Sequence, residues 1–506
     1  MGAIYKNSIK YSGGGGADLP TPTTADINKV LKVNNELQTV WGEDGDSLPA
    51  YTAADANKAL KINNSGSGLE WAEGGASGEY LTKVNPAGSG SFTIGSGCNA
   101  NTVNSIAYGS GCTASGEESL AGGIASEAQG LYSLAIGNGT SALGECCIAL
   151  GLDTKAGSST ASHSAIAIGY LSTATGDYSV ALGYNNQVYT PKAFAGGDSS
   201  TAVGPVAFAY GYQCSVSGDS SYAIGRRNQA ASYAAGSLGY NCRSYGQYSF
   251  SQGNESTATQ NYSIAMGAWD RSSGYASIAM GMYSTATGEE AVALGYYAQA
   301  YGNHSFAAGD HCTASGINSV AMGHDCKSTA YTSIAIGYGC SAFGGDGAFA
   351  CGENTVAYGN ESFASGYGTT ASGANSQAFG YETSATTQSA FVYGYHSTAS
   401  GDAAFAGGNG SLATASCAFA VGAGALAGEY QYALGKWNAT SNNALFMVGN
   451  GSTAQDPDDY HTIEHRSNAF MVTTAGDATL SGDLTFTYNG NTYTLGALLA
   501  AAGIIT

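Results

Sequence analysis

Regularly spaced cysteines are the first feature of this sequence that could do chemistry. Cys312, Cys326 and Cys340 follow one another at fourteen-residue intervals, and His311 and His324 stand just before two of them. Thiolates and imidazoles are the ligands that zinc and softer transition metals prefer. The equivalent place in other copies of the pattern holds serine or alanine, which favours a small, buried and inert residue instead. The cysteines in this phase are Cys98, Cys112, Cys214, Cys242, Cys312, Cys326 and Cys340.

Carboxylates and the remaining histidines form weaker patterns. Asp44 with Asp46, and three aspartates between positions 456 and 459, offer the oxygen ligands that calcium prefers. Neither group matches a complete calcium loop, and solvated loops explain both. His461 and His465 have the spacing of metal ligands on a helix, but no helical pattern surrounds them.

Acidic residues within the repeats stand singly. Glu289, Glu290 and Asp402 are examples, and glycoside hydrolysis needs a pair of carboxylates facing each other across a groove. The sequence also contains no nucleophile motif, phosphate loop or zinc spacing. We therefore expect no enzymatic activity, no catalytic residue, no cofactor and no resident metal.

Tyrosine, with 35 copies, falls into columns that follow the repeat. One column directly follows the residue that ends each strand. Rings at such a corner could present flat faces to the sugars of a host-surface receptor, because tyrosine combines an apolar face with a polar tip. The alternative is that the rings stack on one another and join successive coils. The predicted glycan or receptor contacts are Tyr170, Tyr184, Tyr212, Tyr240, Tyr296 and Tyr338.

A strict glycine repeat supplies the scaffold for these side chains. A glycine recurs every fourteenth residue from Gly239 to Gly337, and a second column that begins at Gly246 runs halfway between. Such a period indicates a solenoid built from one small unit. In one clean copy, 261–267 reads as a strand and 268–274 as its return. The predicted turn glycines are Gly253, Gly267, Gly281, Gly295, Gly309, Gly323 and Gly337.

The strand of this unit has two chemically different faces. Side chains alternate along a strand, so Ser263 and Ala265 point one way while Ile264 and Met266 point the other. Small residues allow the strands of one coil to lie close together, but the large apolar pair has no cover within its own coil. That pair predicts association of identical chains. The predicted trimer core is Ile264, Met266, Ile278, Met280, Val292, Leu294, Val320, Met322, Ile334 and Ile336.

Three regions separate by pattern. Residues 1–90 hold a duplicated unit. Each copy contains a strand, an Asn-Asn turn and a second strand that carries a tryptophan, which is Trp41 in the first copy and Trp71 in the second. Residues 91–440 hold about 25 copies of the repeat, and residues 441–506 suggest exit strands, a hairpin at Asn489–Gly490 and an apolar cap. The repeat loosens at 152–163, 185–199 and 226–233, where we expect insertions or altered coils.

Bulk composition excludes several classes of protein. The net charge is −20 with only 16 lysines and arginines, which argues against nucleic-acid binding. No apolar run reaches the ~18 residues of a membrane helix, so we expect no membrane insertion. The first 16 residues lack a signal-peptide core, and the 11 cysteines do not form a disulfide framework. These features favour assembly in a cytoplasm.

The repeat resembles the head repeat of the YadA-like trimeric autotransporter adhesins. Asn104-Ser-Ile-Ala-Tyr-Gly109 and Asn318-Ser-Val-Ala-Met-Gly323 carry its motif. The resemblance implies an all-β fold, a left-handed parallel β-roll in an intertwined homotrimer. The chain departs from that family at both ends, where no export signal or membrane anchor is recognisable. Its ends are instead similar to segments of bacteriophage tail and head fibres.

These observations predict a structural and recognition protein. We expect a homotrimeric fibre of a phage or phage-like particle that binds a host surface glycan or protein, with virion tail or capsid proteins as partners of the N-terminal region. It would assemble in the bacterial cytoplasm and be extracellular in the mature virion. The alternatives are a capsid-decorating head fibre and a polysaccharide-degrading tail spike.

Overall fold

The computed structural model shows an all-β protein. It describes residues 90–439, 441–451 and 467–480 with their side chains, and eight further strands by their backbone. The described residues contain no helix, and therefore none of the length and apolarity needed to cross a membrane.

Each repeat forms one coil with a long strand of five residues and a short strand of two. The long strand Ile264–Ala268 pairs in parallel with Ile278–Met282 of the next coil. The short strand Arg271–Ser272 pairs in parallel with Thr285–Ala286. Two parallel sheets thus line each stack of coils, and the predicted all-β solenoid is confirmed.

The chain divides into two compact units, residues 1–206 and 207–506. The long strands of the first unit are Phe92–Ser96, Ile106–Ser110, Leu120–Ile124, Leu134–Asn138, Ile148–Leu152, Ile166–Tyr170, Val180–Tyr184 and Phe194–Asp198. Its short strands are Asn99–Ala100, Thr113–Ala114, Glu127–Ala128, Ser141–Ala142, Lys155–Ala156, Thr173–Ala174, Gln187–Val188 and Thr201–Ala202.

The second unit continues the same alternation. Its long strands are Phe208–Tyr212, Tyr222–Arg226, Gly236–Tyr240, Phe250–Asn254, Ile264–Ala268, Ile278–Met282, Val292–Tyr296, Phe306–Asp310, Val320–His324, Ile334–Tyr338, Phe349–Glu353, Phe363–Tyr367, Gln377–Tyr381, Phe391–Tyr395, Phe405–Asn409, Phe419–Ala423 and Tyr432–Lys436. Its short strands are Ser215–Val216, Gln229–Ala230, Arg243–Ser244, Thr257–Ala258, Arg271–Ser272, Thr285–Ala286, Gln299–Ala300, Thr313–Ala314, Lys327–Ser328, Ser341–Ala342, Val356–Ala357, Thr370–Ala371, Ser384–Ala385, Thr398–Ala399, Leu412–Ala413 and Leu426–Ala427.

The interior of each coil is filled by small side chains. Ser263, Ala265 and Ser272 are fully buried, because two strands of one coil face each other across a narrow lumen. The hydroxyl of Ser277 donates a hydrogen bond of 2.7 Å to the carbonyl oxygen of Gly274, which satisfies a buried donor within the same coil. Side chains larger than valine are rare inside, so most of the apolar bulk lies outside.

Glycine occupies the fourth place of every long strand because the coils approach closely there. Gly267 has a φ of 139°, and a Cβ on it would lie 1.9 Å from the carbonyl oxygen of Gly281. The predicted turn glycines therefore belong to the strand itself. The turn is made by the residue after the strand, for example Trp269 with a φ of 57°. In the second glycine column Gly274 has no positive φ, Gly344 has a φ of 91°, and Gln260 and Ala330 replace glycine in two coils.

Only one of the three predicted loosened segments departs from the repeat. Ile148 pairs with Ile166, so the coil containing 152–163 holds four additional residues. Val180 pairs with Phe194, which shows that the prediction at 185–199 was wrong.

The prediction at 226–233 was wrong in the same way, since Tyr222 pairs with Gly236 fourteen residues later. These coils keep the backbone geometry and change only outward side chains. Two irregular coils were not predicted: Ile334 pairs with Phe349, and Phe419 with Tyr432.

Antiparallel strands flank the repeats on both sides in sequence. Val30–Val33 pairs with Thr39–Gly42, and Lys58–Ile62 with Leu69–Glu73, which confirms the strands predicted for the duplicated unit. After the last coil, Ala444–Asn450 pairs in parallel with the final long strand and antiparallel with Asn468–Thr473.

Asn468–Thr473 also pairs with Ala478–Leu480, so antiparallel strands close this edge of the long-strand sheet. An exposed parallel edge would otherwise be open to pairing with other chains. Ser452–Gln455 pairs with Thr462–His465, and Thr485–Tyr488 with Asn491–Thr494, on either side of the predicted hairpin turn. The predicted apolar cap after position 494 lies outside the described residues.

Candidate functional site

The cysteine column lies inside the coils, where it forms part of a hydrogen-bonding ladder. Cys326 and Cys340 are fully buried, and their thiols donate to the carbonyl oxygens of Gly337 and Gly352 at 3.1 Å each. In other coils a serine hydroxyl donates the equivalent hydrogen bond, as Ser284 does to the carbonyl oxygen of Gly295 at 2.7 Å. The column caps the carbonyl of the strand glycine in the following coil.

Neighbouring thiols of this ladder also affect one another. The hydrogen bond that Cys340 makes with Cys326, together with burial, raises the pKa of Cys340, whereas the hydrogen bond between Cys326 and Cys312 lowers the pKa of Cys312. Burial also raises the pKa of the Cys242 thiol. Protonated, enclosed thiols are poor nucleophiles and poor metal ligands.

The histidines beside this ladder face away from it. His311 and His324 are exposed or half-buried at the corner, while Cys312 and Cys326 point into the lumen. Within the part of the chain that the structure describes, no three His, Cys, Asp or Glu side chains are arranged to hold a metal ion.

The corner histidines instead pair with carboxylates of the preceding coil. His324 Nε2 lies 3.4 Å from Asp310, His396 Nδ1 lies 3.0 Å from Glu382, and the longest such pair joins His304 and Glu290 at 3.7 Å. All of these side chains are substantially exposed, so each pair contributes little to stability.

Asp270 is the carboxylate that sequence reasoning did not single out. It occupies the cysteine column and is 1% exposed, and it accepts hydrogen bonds of 2.8 Å from the backbone amides of Gly281 and Ser284. Burial raises the pKa of its carboxyl to about 6, against the effect of these hydrogen bonds. Comparison of the residue three places after the strand glycine in each coil would have identified Asp270.

The corner tyrosines lie in stacks along each unit. Tyr170 and Tyr184 stack at 5.1 Å with an interplanar angle of 7°, and Tyr338 stacks on His324 at 4.7 Å. The stacking interpretation accounts for these rings, because a face covered by a neighbouring coil is closed to a ligand. Their role in glycan contact stays a prediction.

The remaining corner tyrosines have neighbours of other kinds. The guanidinium of Arg226 lies 5.3 Å from the ring centre of Tyr212 and 5.6 Å from that of Tyr240. Tyr296 packs edge-on against Tyr297 at 4.6 Å. The structure thus brings the predicted tyrosines together with side chains of adjacent coils or with the next residue in sequence, and not into one pocket.

A longer aromatic stack, which the sequence analysis did not predict, follows the corners of the second unit. Trp269, Tyr283, Tyr297 and His311 stack in succession at 4.9, 4.7 and 5.0 Å. Each has a positive φ, and each backbone amide donates to a carbonyl of the preceding coil, as Trp269 does to Asn254 at 2.8 Å. Their common place two residues after the strand glycine is the signal that would have revealed them.

The outward side chains of the long strands form a surface that we call the long-strand face, made by the first and third residue of each long strand. No charged residue occupies these places in any described coil. The predicted trimer-core residues all lie here, and Met280, Met322 and Ile336 are 38%, 38% and 37% exposed. A large apolar surface of this kind marks a site of association.

Several predicted ligand groups fall elsewhere. Asp44, Asp46, the aspartates at 456–459 and His461 lie outside the described residues. His465 ends the strand Thr462–His465, so the helical spacing noted for it does not correspond to a helix. Glu289, Glu290 and Asp402 are exposed at coil corners.

Comparison with known families identifies the repeat. A family model described as the YadA head domain repeat (two copies) matches residues 114–140, 162–186, 244–268, 272–298, 286–311, 314–339, 344–369 and 364–386. The chain therefore carries YadA-like head repeats in both units. A comparison with curated proteins gives no match.

Proposed function

We propose that this chain is the structural fibre of a phage or phage-like particle, that it functions as a homotrimer, and that it attaches the particle to the host cell surface. The observation that carries the proposal is the long-strand face. Its first and third residues are uncharged in every described coil, yet residues such as Met322 and Ile336 are more than a third exposed in the single chain.

Three copies of the chain would cover this face. A hydrophobic surface that extends through successive coils cannot be hidden by a small ligand, whereas an identical chain offers a matching surface with the same repeat. Adjacent coils place Ile264 opposite Ile278 and Met266 opposite Met280, so the apolar columns are in register along the stack. The YadA-like head repeats support the same assembly.

Attachment by such a fibre depends on repetition of weak contacts. Three chains per fibre and several fibres per particle raise the effective concentration of each contact without a deep pocket. The N-terminal hairpins, Val30–Gly42 in one copy and Lys58–Glu73 in the other, are the proposed connection to tail or capsid proteins. Tail and head fibres differ in which of these proteins is the partner.

Sedimentation analysis of the purified chain tests the assembly. We expect a particle of three times 50.7 kDa. Ile336→Lys places a charge on the long-strand face and should release monomers or cause aggregation, because burying an unpaired charge is costly. Leu412→Lys is the matched control, since Leu412 is an outward residue of a short strand. A single species of 50.7 kDa for the unmodified chain would contradict the trimer.

Immunoelectron microscopy tests the particle. Antibodies against the purified protein should label fibres on particles released from the producing bacteria, and purified protein should compete with particles for adsorption to host cells. Labelling of the capsid would identify a head fibre. Absence of label from all particles, or adsorption unaffected by excess protein, would contradict the attachment role.

A further inference from the structure

The second outward surface, which we call the short-strand face, differs from the first in chemistry. It is made by the first residue of each short strand and by the residue that follows that strand. In the second unit these places hold hydroxyls in many coils, for example Thr257, Thr285, Thr287 and Ser315. The surface is therefore polar and repeats its hydrogen-bonding groups at each coil, about 4.8 Å apart.

Charge on this face has one sign. Arg243, Arg271 and Lys327 are exposed there, and no acidic residue occupies these places from Ser215 to Leu426. This is unexpected in a chain with a net charge of −20. Apart from the buried Asp270, the acidic side chains of the same coils stand at or beside the corners. In the first unit the face carries both Glu127 and Lys155, so the distinction belongs to the second unit.

Among the residues described with side chains, no carboxylate partners these three cations. Every ion pair among the residues described with side chains involves a histidine. Arg243 donates one hydrogen bond, of 3.2 Å, to the side-chain oxygen of Asn241, which is neutral. The cations therefore offer their charge to an external anion, and two coils, about 10 Å, separate Arg243 from Arg271.

Tyr245, Tyr301 and Tyr358 lie on this face at intervals of four coils, and Tyr358 packs edge-on against Phe343. Tyr245 and Tyr301 are 41% and 42% exposed, and four coils place them about 19 Å apart. Within the part of the chain described with side chains, neither ring stacks on another aromatic ring, unlike the corner tyrosines. The hydroxyl of Tyr245 donates to Gln229 at 2.9 Å, which holds the ring at the surface. The exposed part of its ring is available for contact with a ligand.

We propose that the short-strand face of the second unit binds an acidic polysaccharide lying along the stack of coils. Arg243, Arg271 and Lys327 would pair with its carboxylates, Tyr245 and Tyr301 would pack against sugar rings, and the intervening hydroxyls would bond to sugar hydroxyls. The inference rests on the proposed attachment function and names the class of its receptor.

An acidic polysaccharide fits the spacing better than a nucleic acid does. Duplex DNA carries a charge about every 1.7 Å of its axis, and binding normally uses many phosphate contacts. Three cations spread over six coils cannot supply these contacts within an acidic protein. A polyuronate has sparser charge, and its rings and hydroxyls match the tyrosines and threonines between the cations.

Calorimetric titration of the full-length protein with polygalacturonate tests the inference. We expect binding that weakens as salt rises, and no binding to the same polymer after its carboxyl groups are reduced. The triple variant Arg243→Gln/Arg271→Gln/Lys327→Gln should bind about tenfold more weakly, since exposed charge pairs contribute modestly but add. The control Lys192→Gln/Arg227→Gln/Lys436→Gln removes the same charge elsewhere and should bind normally.

A second pair of variants tests the rings. Tyr245→Ala/Tyr301→Ala should weaken binding several-fold at any salt concentration, while Tyr248→Ala/Tyr262→Ala, which removes two exposed corner rings stacked on each other, should not. Equal binding of the reduced polymer, tighter binding of duplex DNA, or loss of binding only in the corner variant would overturn the inference. If the protein is a trimer but does not bind the polymer, this inference alone is overturned. If the protein is a monomer that binds the polymer, the trimeric fibre alone is overturned.

Discussion

The ring of Tyr393 lies over the bare backbone of Gly407, its partner in the next coil. A Cβ on Gly407 would lie 2.2 Å from Cε1 of that ring. The other pairs of this kind are Tyr108 with Gly122 and Tyr222 with Gly236. All three lie on the long-strand face, so a tyrosine and a glycine together fill the volume that two aliphatic side chains fill elsewhere. The outward side chains of adjacent coils are thus matched in volume.

Gly407→Ala should therefore destabilise the protein by steric overlap rather than by backbone strain. Gly407 has no positive φ, so the methyl group meets only the tyrosine ring, which must leave its position. We expect a loss of about 1–3 kcal/mol, the usual cost of overpacking. Thermal unfolding of Gly407→Ala, Tyr393→Ala and the double variant measures the coupling. If the double variant loses as much stability as the two single variants together, the explanation by overlap between Tyr393 and a residue at position 407 is contradicted.

The two glycine columns should respond to alanine with losses of different size. Gly267→Ala places a Cβ against the carbonyl of Gly281 at a φ of 139°, which alanine avoids, so we expect a loss of about 3 kcal/mol or more. Gly274→Ala also brings a Cβ to 1.8 Å from a backbone oxygen, that of Gly288, but without a positive φ and in a column that elsewhere holds Gln260 and Ala330, so we expect a smaller loss of about 1–3 kcal/mol. Unfolding temperatures of both variants check the contrast, and equal losses would show that the positive φ of Gly267 adds nothing to the cost of steric overlap.

The sequence predicted the path of the chain better than the roles of its side chains. A period of fourteen with small residues at alternate places requires a lumen, and Ala265 and Ser263 are buried as expected. The composition of 185–199 led to the wrong prediction of an altered coil there, because Pro191 and Lys192 lie at a corner where outward residues can vary without changing the coil. Stacking between Trp269 and Tyr283 depends on rotamers and on left-handed corner backbone, which spacing does not reveal.

Thiol reactivity should separate the two classes of cysteine. Cys146 and Cys417 are exposed at corners, whereas Cys312, Cys326 and Cys340 are fully buried. We expect a thiol reagent to label Cys146 and Cys417 rapidly in the folded protein and the buried column only after denaturation. Mass spectrometry of labelled peptides measures this, with Cys146→Ser/Cys417→Ser as the control. Rapid labelling of Cys326 would show that the coils open readily.

Asp270 should make stability depend on pH in the acid range. Burial raises the pKa of its carboxyl from 3.8 to about 6, so folding takes up a proton between these values. The contribution of this group to stability is therefore complete below pH 3.8 and is lost as the pH rises through about 6. The loss is on the order of 2–3 kcal/mol, since one pKa unit corresponds to about 1.4 kcal/mol.

Asp270→Asn should remove this loss and stabilise the protein at neutral pH. The same column holds Asn228, whose amide donates to the carbonyl of Gly239 at 2.7 Å and whose oxygen accepts from Cys242 at 2.8 Å. Asparagine at position 270 can make both bonds, whereas an ionised aspartate cannot donate to the carbonyl of Gly281.

The measurement is the unfolding temperature of Asp270→Asn and of the unmodified protein at several pH values. The difference between them should grow as the pH rises from about 4 to about 7, because only the unmodified protein loses the bound proton. Asp325→Asn changes an exposed corner carboxylate and serves as the control, with no such growth expected. A difference that stays constant with pH would mean that the carboxyl of Asp270 keeps an ordinary pKa inside the column.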